Sequence, residues 1–183
     1  ARINTIGEGA NDVLRVFIAL VGMREVGLEL EGLLEAFLHP VGRFSRVGRY
    51  VGRKLGSFLV APPVPVRSGE LEDEAARLGR LVNSLGQNVE RLLRTYQREV
   101  VDRQQQLARI ADAATEIYVS ACVLRRLDAL LRHEPPRELR LRELATGRHY
   151  LRIAQRRIEQ NLRALWDNDD EPTCRLAEDL LGW

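Results

Sequence analysis

The chain has 183 residues, 45% of them hydrophobic and 30% charged, enough for one domain with a sizeable core. Aromatic residues at 5% argue against a β-rich core, and 28 basic against 26 acidic residues leave a charge of only +2, excluding a global polyelectrolyte role. Cys122 and Cys174 are too few for a disulfide framework and suit a reducing compartment, and His39, His133 and His149 share no ligand spacing, so no metal is expected.

In chain order, the first predicted helix covers Asn11 to Phe37. Val13, Leu14, Phe17, Leu20 and Val21 recur at three-and-four spacing, Asn11 or Asp12 is placed to cap it, and His39-Pro40 ends it. Gly22, Gly27 and Gly32 weaken its second half enough to allow a break. Its Val16–Met23 run is the most apolar in the chain and falls well short of the ~18 residues a membrane span needs. Residues 61–65, Ala-Pro-Pro-Val-Pro, read as a stiff extended linker.

Ser68 stands as an N-cap, and Glu70, Glu72, Asp73 and Glu74 load the next first turn with the charge a helix dipole prefers. From there Leu71, Ala75, Leu78, Val82, Leu85, Val89, Leu92 and Tyr96 form a bundle-type seam. A third helix over 102–132 directs Leu107, Ile110, Ala114, Ile117, Tyr118, Ala121 and Leu124 inward, until Glu134-Pro135-Pro136. The fourth, 137–166, aligns Leu141, Leu144, Leu151, Ile158, Leu162 and Leu165, and a short tail helix starts near Thr173. Nothing reads as a strand. The pattern predicts an all-α protein, an antiparallel four-helix bundle with an additional basic amphipathic segment. Cys122, Trp166 and Trp183 are expected to pack as core residues.

Residues 6–15, Ile-Gly-Glu-Gly-Ala-Asn-Asp-Val-Leu-Arg, hold one carboxylate, Glu8, between two glycines just ahead of the apolar helix. Flanking glycines permit unusual dihedrals and close approach of another molecule, and the orphan N–H groups of the following helix favour anions and polar ligands. Taken alone, Glu8 reads as an acid placed for the helix dipole, and only a longer resemblance favours catalysis.

The run resembles the Glu-Gly-Thr-Asn-Asp-Ile-Leu-Arg segment of acyl-CoA dehydrogenases, most closely the very-long-chain branch. Arg109-Ile110-Ala111-Asp112 with Glu116-Ile117-Tyr118, and Arg67-Ser68-Gly69-Glu70-Leu71, are similar to stretches of that branch's C-terminal domain. The resemblance implies the C-terminal part of a FAD-dependent enzyme that converts acyl-CoA to trans-2-enoyl-CoA and passes electrons to an electron-transfer flavoprotein. It makes Glu8 the catalytic base and puts Gly9, Ala10 and Asn11 beside FAD. Two departures stand out: the family's aromatic before the Glu is Gly7 here, and its Thr is Ala10, which has no hydroxyl to offer the cofactor. Without a flavin-binding β-domain the chain alone is expected to be inactive and to expose an apolar face, its partners being acyl-CoA, the remaining domains of the parent enzyme and a second subunit in a homodimer. The alternative is a non-catalytic helical domain for membrane attachment or dimerisation.

On a helix, residues 41–60 put Arg43, Arg46, Arg49, Arg53 and Lys54 on one arc and Phe44, Val47, Val51, Leu55, Phe58 and Leu59 on the other. That describes an interfacial helix on an anionic membrane, or equally a bundle-packing helix or loop with solvated arginines. The resemblance favours the membrane, because the very-long-chain enzymes carry a basic, glycine-bearing insertion here. It implies a peripheral protein, on a bacterial membrane from the cytoplasm or on the matrix side of the mitochondrial inner membrane. The organisation is then a base loop and first helix over 1–40, an amphipathic segment and linker over 41–66, and a helical bundle over 67–183, all within one domain. Arg125, Arg126, Arg132, Arg148, Arg152, Arg156 and Arg157 alternate with Asp128, Glu134, Glu143 and Glu159. That mixture reads as a salt-bridged helix surface with no nucleic-acid partner.

Overall fold

The computed structural model describes residues 11–38, 62–133 and 136–182. Among the described residues there are five α-helices and no strand: α1 (Asn11–Leu38), α2 (Glu72–Tyr96), α3 (Gln104–Arg132), α4 (Arg137–Ala164) and α5 (Asp170–Leu181). Two 3-10 turns, Gly69–Leu71 and Gln97–Asp102, lead into and out of α2. The all-α bundle expected from the apolar stripes is the observed architecture. The arc 41–60 and Trp183 lie outside the described residues.

Antiparallel packing follows from which residues meet. On α3 and α4, Leu127 lies against Gly147 and Glu116 against Tyr150 and Arg157, so one helix ascends as the other descends. A Cβ on Gly147 would stand 2.6 Å from Leu127 Cδ1, so the glycine is what lets these two helices approach. Glu74 meets Arg148 and Asn88 meets Trp166, which sets α2 and α4 parallel across the bundle. α1 packs against α2 and α3.

The core has two parts. One joins Ala19 and Met23 of α1 to Val89, Leu92, Leu107, Ile110, Ile158 and Leu162. The other joins Leu71, Ala75 and Leu78 of the α2 arm to Leu124, Leu127 and Leu144, with Val64 and Val66 of the extended lead-in packed on it. Ile117 packs against both.

Several sequence expectations are corrected. α1 runs unbroken through Gly22 and Gly27, with Ala19 and Met23 buried as its inner face. Val13, Leu14, Phe17, Ile18 and Val21 are exposed instead, Phe17 by 62%. Tyr118 (71% exposed), Ala121 and Cys122 line the outer side of α3 rather than its core side. The reason is that α1, α2 and α4 all pack against α3, so its buried arc is wide and is filled by Leu107, Ile110, Ala111, Ala113, Ser120, Leu124 and Leu127. One free side remains, and those three residues share it. On α4, Leu141 sits near the N-terminus and is exposed, whereas Leu144, Ile158, Leu162 and Leu165 are buried as the stripe implied. The tail helix begins at Asp170, three residues before Thr173.

Candidate functional site

The site begins where α1 begins. Asn11 opens the helix with its side chain exposed, while Glu8, Gly9 and Ala10 lie outside the described residues. One turn further on, Arg15 Nε stands 2.9 Å from Asp112 Oδ1 of α3. Both groups are about two-fifths exposed, so this pair sets orientation more than stability. The firmer hold comes from buried Ala19 and Met23, with Val16, Leu20 and Val26 packed around them. The helix that follows the glycine-flanked motif in sequence is thereby fixed to the bundle.

Three further ties, each anchored on α3, keep that platform rigid. Glu116 accepts from the Tyr150 hydroxyl at 2.8 Å and from Arg157 Nη1 at 2.9 Å, joining α3 to α4. Burial and the neighbouring Glu116 carboxylate push the Tyr150 phenol up to about 12, so it stays a donor. Arg109 grips Asp170 bidentately, at 2.5 and 2.6 Å, and fixes the start of α5; that hydrogen bond raises the guanidinium above its ordinary value. Asp128, buried, accepts the backbone N–H groups of Arg67 and Ser68, both at 2.9 Å. Its carboxyl is held below the usual range, first by the Ser68 N–H and then by that of Arg67, against the opposing effect of burial.

Ser68 thus serves α2 differently from the N-cap expected of it. Its side chain makes no capping bond, and its backbone is what Asp128 holds. In the sequence Asp128 is one of several acids on an arginine-rich face. Its spacing to Arg132 is visible in sequence, but its partners 60 and 61 residues away are not. Of the seven arginines on these faces four are ion-paired, Arg126 with Glu143, Arg132 with Asp128, Arg148 with Glu74 and Arg157 with Glu116, while Arg125, Arg152 and Arg156 enter no ion pair among the described residues. Arg140 pairs with Glu70. Arg43, Phe44, Arg46, Val47, Arg49, Val51, Arg53, Lys54, Leu55 and Phe58 fall outside the described residues, as does the interfacial reading that rests on them.

The stretches on which the family resemblance rested therefore carry the clamps. Arg15 meets Asp112, Arg109 meets Asp170, Glu116 joins α4, and Arg67-Ser68 is tied to Asp128. Together they define an all-α bundle module that holds a leading helix by one face and leaves that helix's apolar side bare. Residues 69–178 match the family described as ACAD9/ACADV, C-terminal domain, and the chain belongs to it. The chain is 33% identical over 174 residues to the very long-chain specific acyl-CoA dehydrogenase, mitochondrial, of Bos taurus, covering 90% of this chain and 25% of that protein. The protein of the same description from Rattus norvegicus is 32% identical over 183 residues, covering 93% of this chain and 26% of its own length. That of Homo sapiens is 35% identical over 146 residues, covering 74% of this chain and 21% of its own. The chain spans about a quarter of the length of the first two relatives. No helix among the described residues is long and apolar enough to cross a membrane.

Proposed function

We propose that the chain is the working C-terminal region of a flavin-dependent acyl-CoA dehydrogenase, in which Glu8 takes the α-proton of an acyl-CoA thioester. The observation that carries this is the anchoring of α1: the helix that follows Glu8 is buried against the bundle at Ala19 and Met23 and paired at Arg15. A base for so weak an acid must be held close to its proton and kept largely dry. Flanking Gly7 and Gly9 let the substrate approach the carboxylate. FAD, when bound, supplies the acceptor for the β-hydrogen that leaves as hydride. Asn11, exposed at the first described residue of α1, suits a polar cofactor there, together with Gly9 and the backbone of Ala10.

The bare side of α1, from Val13 to Val21, fits burial against the remaining domains of the enzyme, which supply the flavin pocket. The isolated chain is then catalytically silent, and its parent works as a homodimer that delivers electrons to an electron-transfer flavoprotein. The basic arc from Arg43 to Phe58 attaches the enzyme to an anionic membrane, each cation contributing on the order of 1 kcal/mol near the surface.

The test uses the full-length enzyme, mixed anaerobically with acyl-CoA. Glu8→Gln keeps the flavin bound but slows its bleaching by about 10²–10⁴-fold, the range a positioned general base contributes. Unchanged bleaching in that variant rules out Glu8 as the base. For the membrane arm, reversing Arg46, Arg49 and Arg53 to Glu abolishes binding to anionic vesicles without altering the bleaching rate. Binding that survives the reversal removes the membrane role.

A further inference from the structure

Among the described residues the bundle core is interrupted along its length by an open cleft. Ala19 and Met23 of α1 belong to the first apolar cluster only, so among the described residues the second cluster is enclosed by α2, α3 and α4 with the extended lead-in. Between them lies a cleft of ≈ 390 Å³, within the range of sites that hold small molecules. Its floor is Leu78 and Leu81 of α2, Ser120 of α3 and Leu151 of α4. Ser120 is 2% exposed and stands where a larger apolar residue would close the core.

The rim is cationic. Arg77, Arg148 and Arg152 line it against a single carboxylate, Glu74. Arg148 Nε donates to Glu74 at 2.8 Å and its Nη2 to the Glu70 carbonyl at 2.8 Å, so these two are committed to each other and to the frame. Arg77 and Arg152 are exposed and enter no ion pair among the described residues. An apolar floor beneath two spare guanidiniums selects a ligand with an aliphatic body and an anionic head. Guanidinium suits carboxylate and phosphate oxygens alike, because its planar fork donates two parallel hydrogen bonds.

We infer that this cleft binds a single-chain amphiphile with an anionic head, its chain along Leu78, Leu81 and Leu151 and its carboxylate or phosphate at Arg77 and Arg152. None of its lining residues comes from α1, and the inference stands whether or not Glu8 is a base. Titration calorimetry of the 183-residue chain tests it, using dodecanoate, dodecyl phosphate, dodecyltrimethylammonium and inorganic phosphate, each below its micellar concentration. The two anionic amphiphiles bind saturably, whichever head the natural ligand carries, and the tighter one names that head. The cationic amphiphile and inorganic phosphate bind at least tenfold more weakly. The Arg77→Glu, Arg152→Glu double variant weakens dodecanoate at least tenfold, whereas Arg125→Glu on α3 outside the cleft leaves it unchanged. Ser120→Leu blocks the cleft; if that chain does not fold, the exposed Arg77 and Arg152 pair decides alone. Equal binding of the cationic amphiphile overturns the inference. So do a double variant that binds as the parent does, amide shifts that cluster at Val13–Val21 rather than around Ser120, and failure of both anionic amphiphiles to bind.

Discussion

Asp128 ties the lead-in of α2 to α3, and its loss is costly. Its carboxylate is buried on α3 and receives two backbone N–H groups, from Arg67 and Ser68, at 2.9 Å each. Those bonds seat the extended lead-in on α3 and bring Leu71, fully buried, into the second apolar cluster. Asp128→Ala leaves two part-buried donors without their acceptor, and hydrogen bonds to a charged group are worth about 1.5–3 kcal/mol net apiece. Water reaches part of the exposed Arg67, so a total near 3 kcal/mol is the working figure, a fall of ~6–12 °C in Tm for a chain of this size. Asp128→Asn keeps a neutral acceptor, and its cost is about 1–1.5 kcal/mol. The pH dependence has a definite sign. Asp128 titrates lower when folded than when unfolded, so its stabilisation is complete above the unfolded carboxylate's ~3.9 and is lost as pH falls through the folded value. Denaturant melts of wild type, Asp128→Ala and Asp128→Asn at pH 7, 5, 4 and 3 check this. The gap between wild type and Asn is constant from pH 7 to 5 and shrinks below 4. An Ala variant within 2 °C of wild type, or a gap that ignores pH, refutes the reasoning.

The other expectations concern the same clamps and the surface they leave bare. Tyr150 is raised to about 12 when folded, so its contribution is present below the unfolded phenol's ~10 and fades as pH climbs toward 12; Tyr150→Phe is less alkali-sensitive than wild type in melts from pH 8 to 11. An added Cβ at Gly86 in α2 meets nothing within 4 Å, so Gly86→Ala raises stability by ~0.8–1 kcal/mol, measured as a higher denaturant midpoint. The bare face of α1 makes the isolated chain self-associate, and Phe17→Asp shifts its elution toward the monomer on size exclusion; a compact monomer for both chains at high concentration counts against that face being sticky.

The sequence disclosed long elements well and side-chain neighbours poorly, for a physical reason. A helix's existence depends on periodicity within the helix itself, which is why the 3-10 turn and α2 together follow the stripe from Leu71 to Tyr96, although Val82 of that stripe is exposed. Which arc is buried depends on how many partners surround the helix. α3 has three, and the stripe through Ile110, Ile117 and Tyr118 misjudged its direction enough to put Cys122 inside. α1 misled in the other direction, because its strongest apolar stripe is the side not covered by the bundle. The clamps behaved similarly. Glu116 and Arg109 stood out through family resemblance, but their partners Tyr150, Arg157 and Asp170 lie 34 to 61 residues away, beyond any local pattern.

Proton removal by Glu8 can be separated from hydride transfer by following deuterium wash-in at the α-carbon of an acyl-CoA incubated in D₂O with the full-length, flavin-loaded enzyme. The account predicts exchange in the wild-type enzyme and its loss in Glu8→Gln with flavin still bound. Undiminished exchange in Glu8→Gln would contradict it, because the proton would then be leaving to some other group.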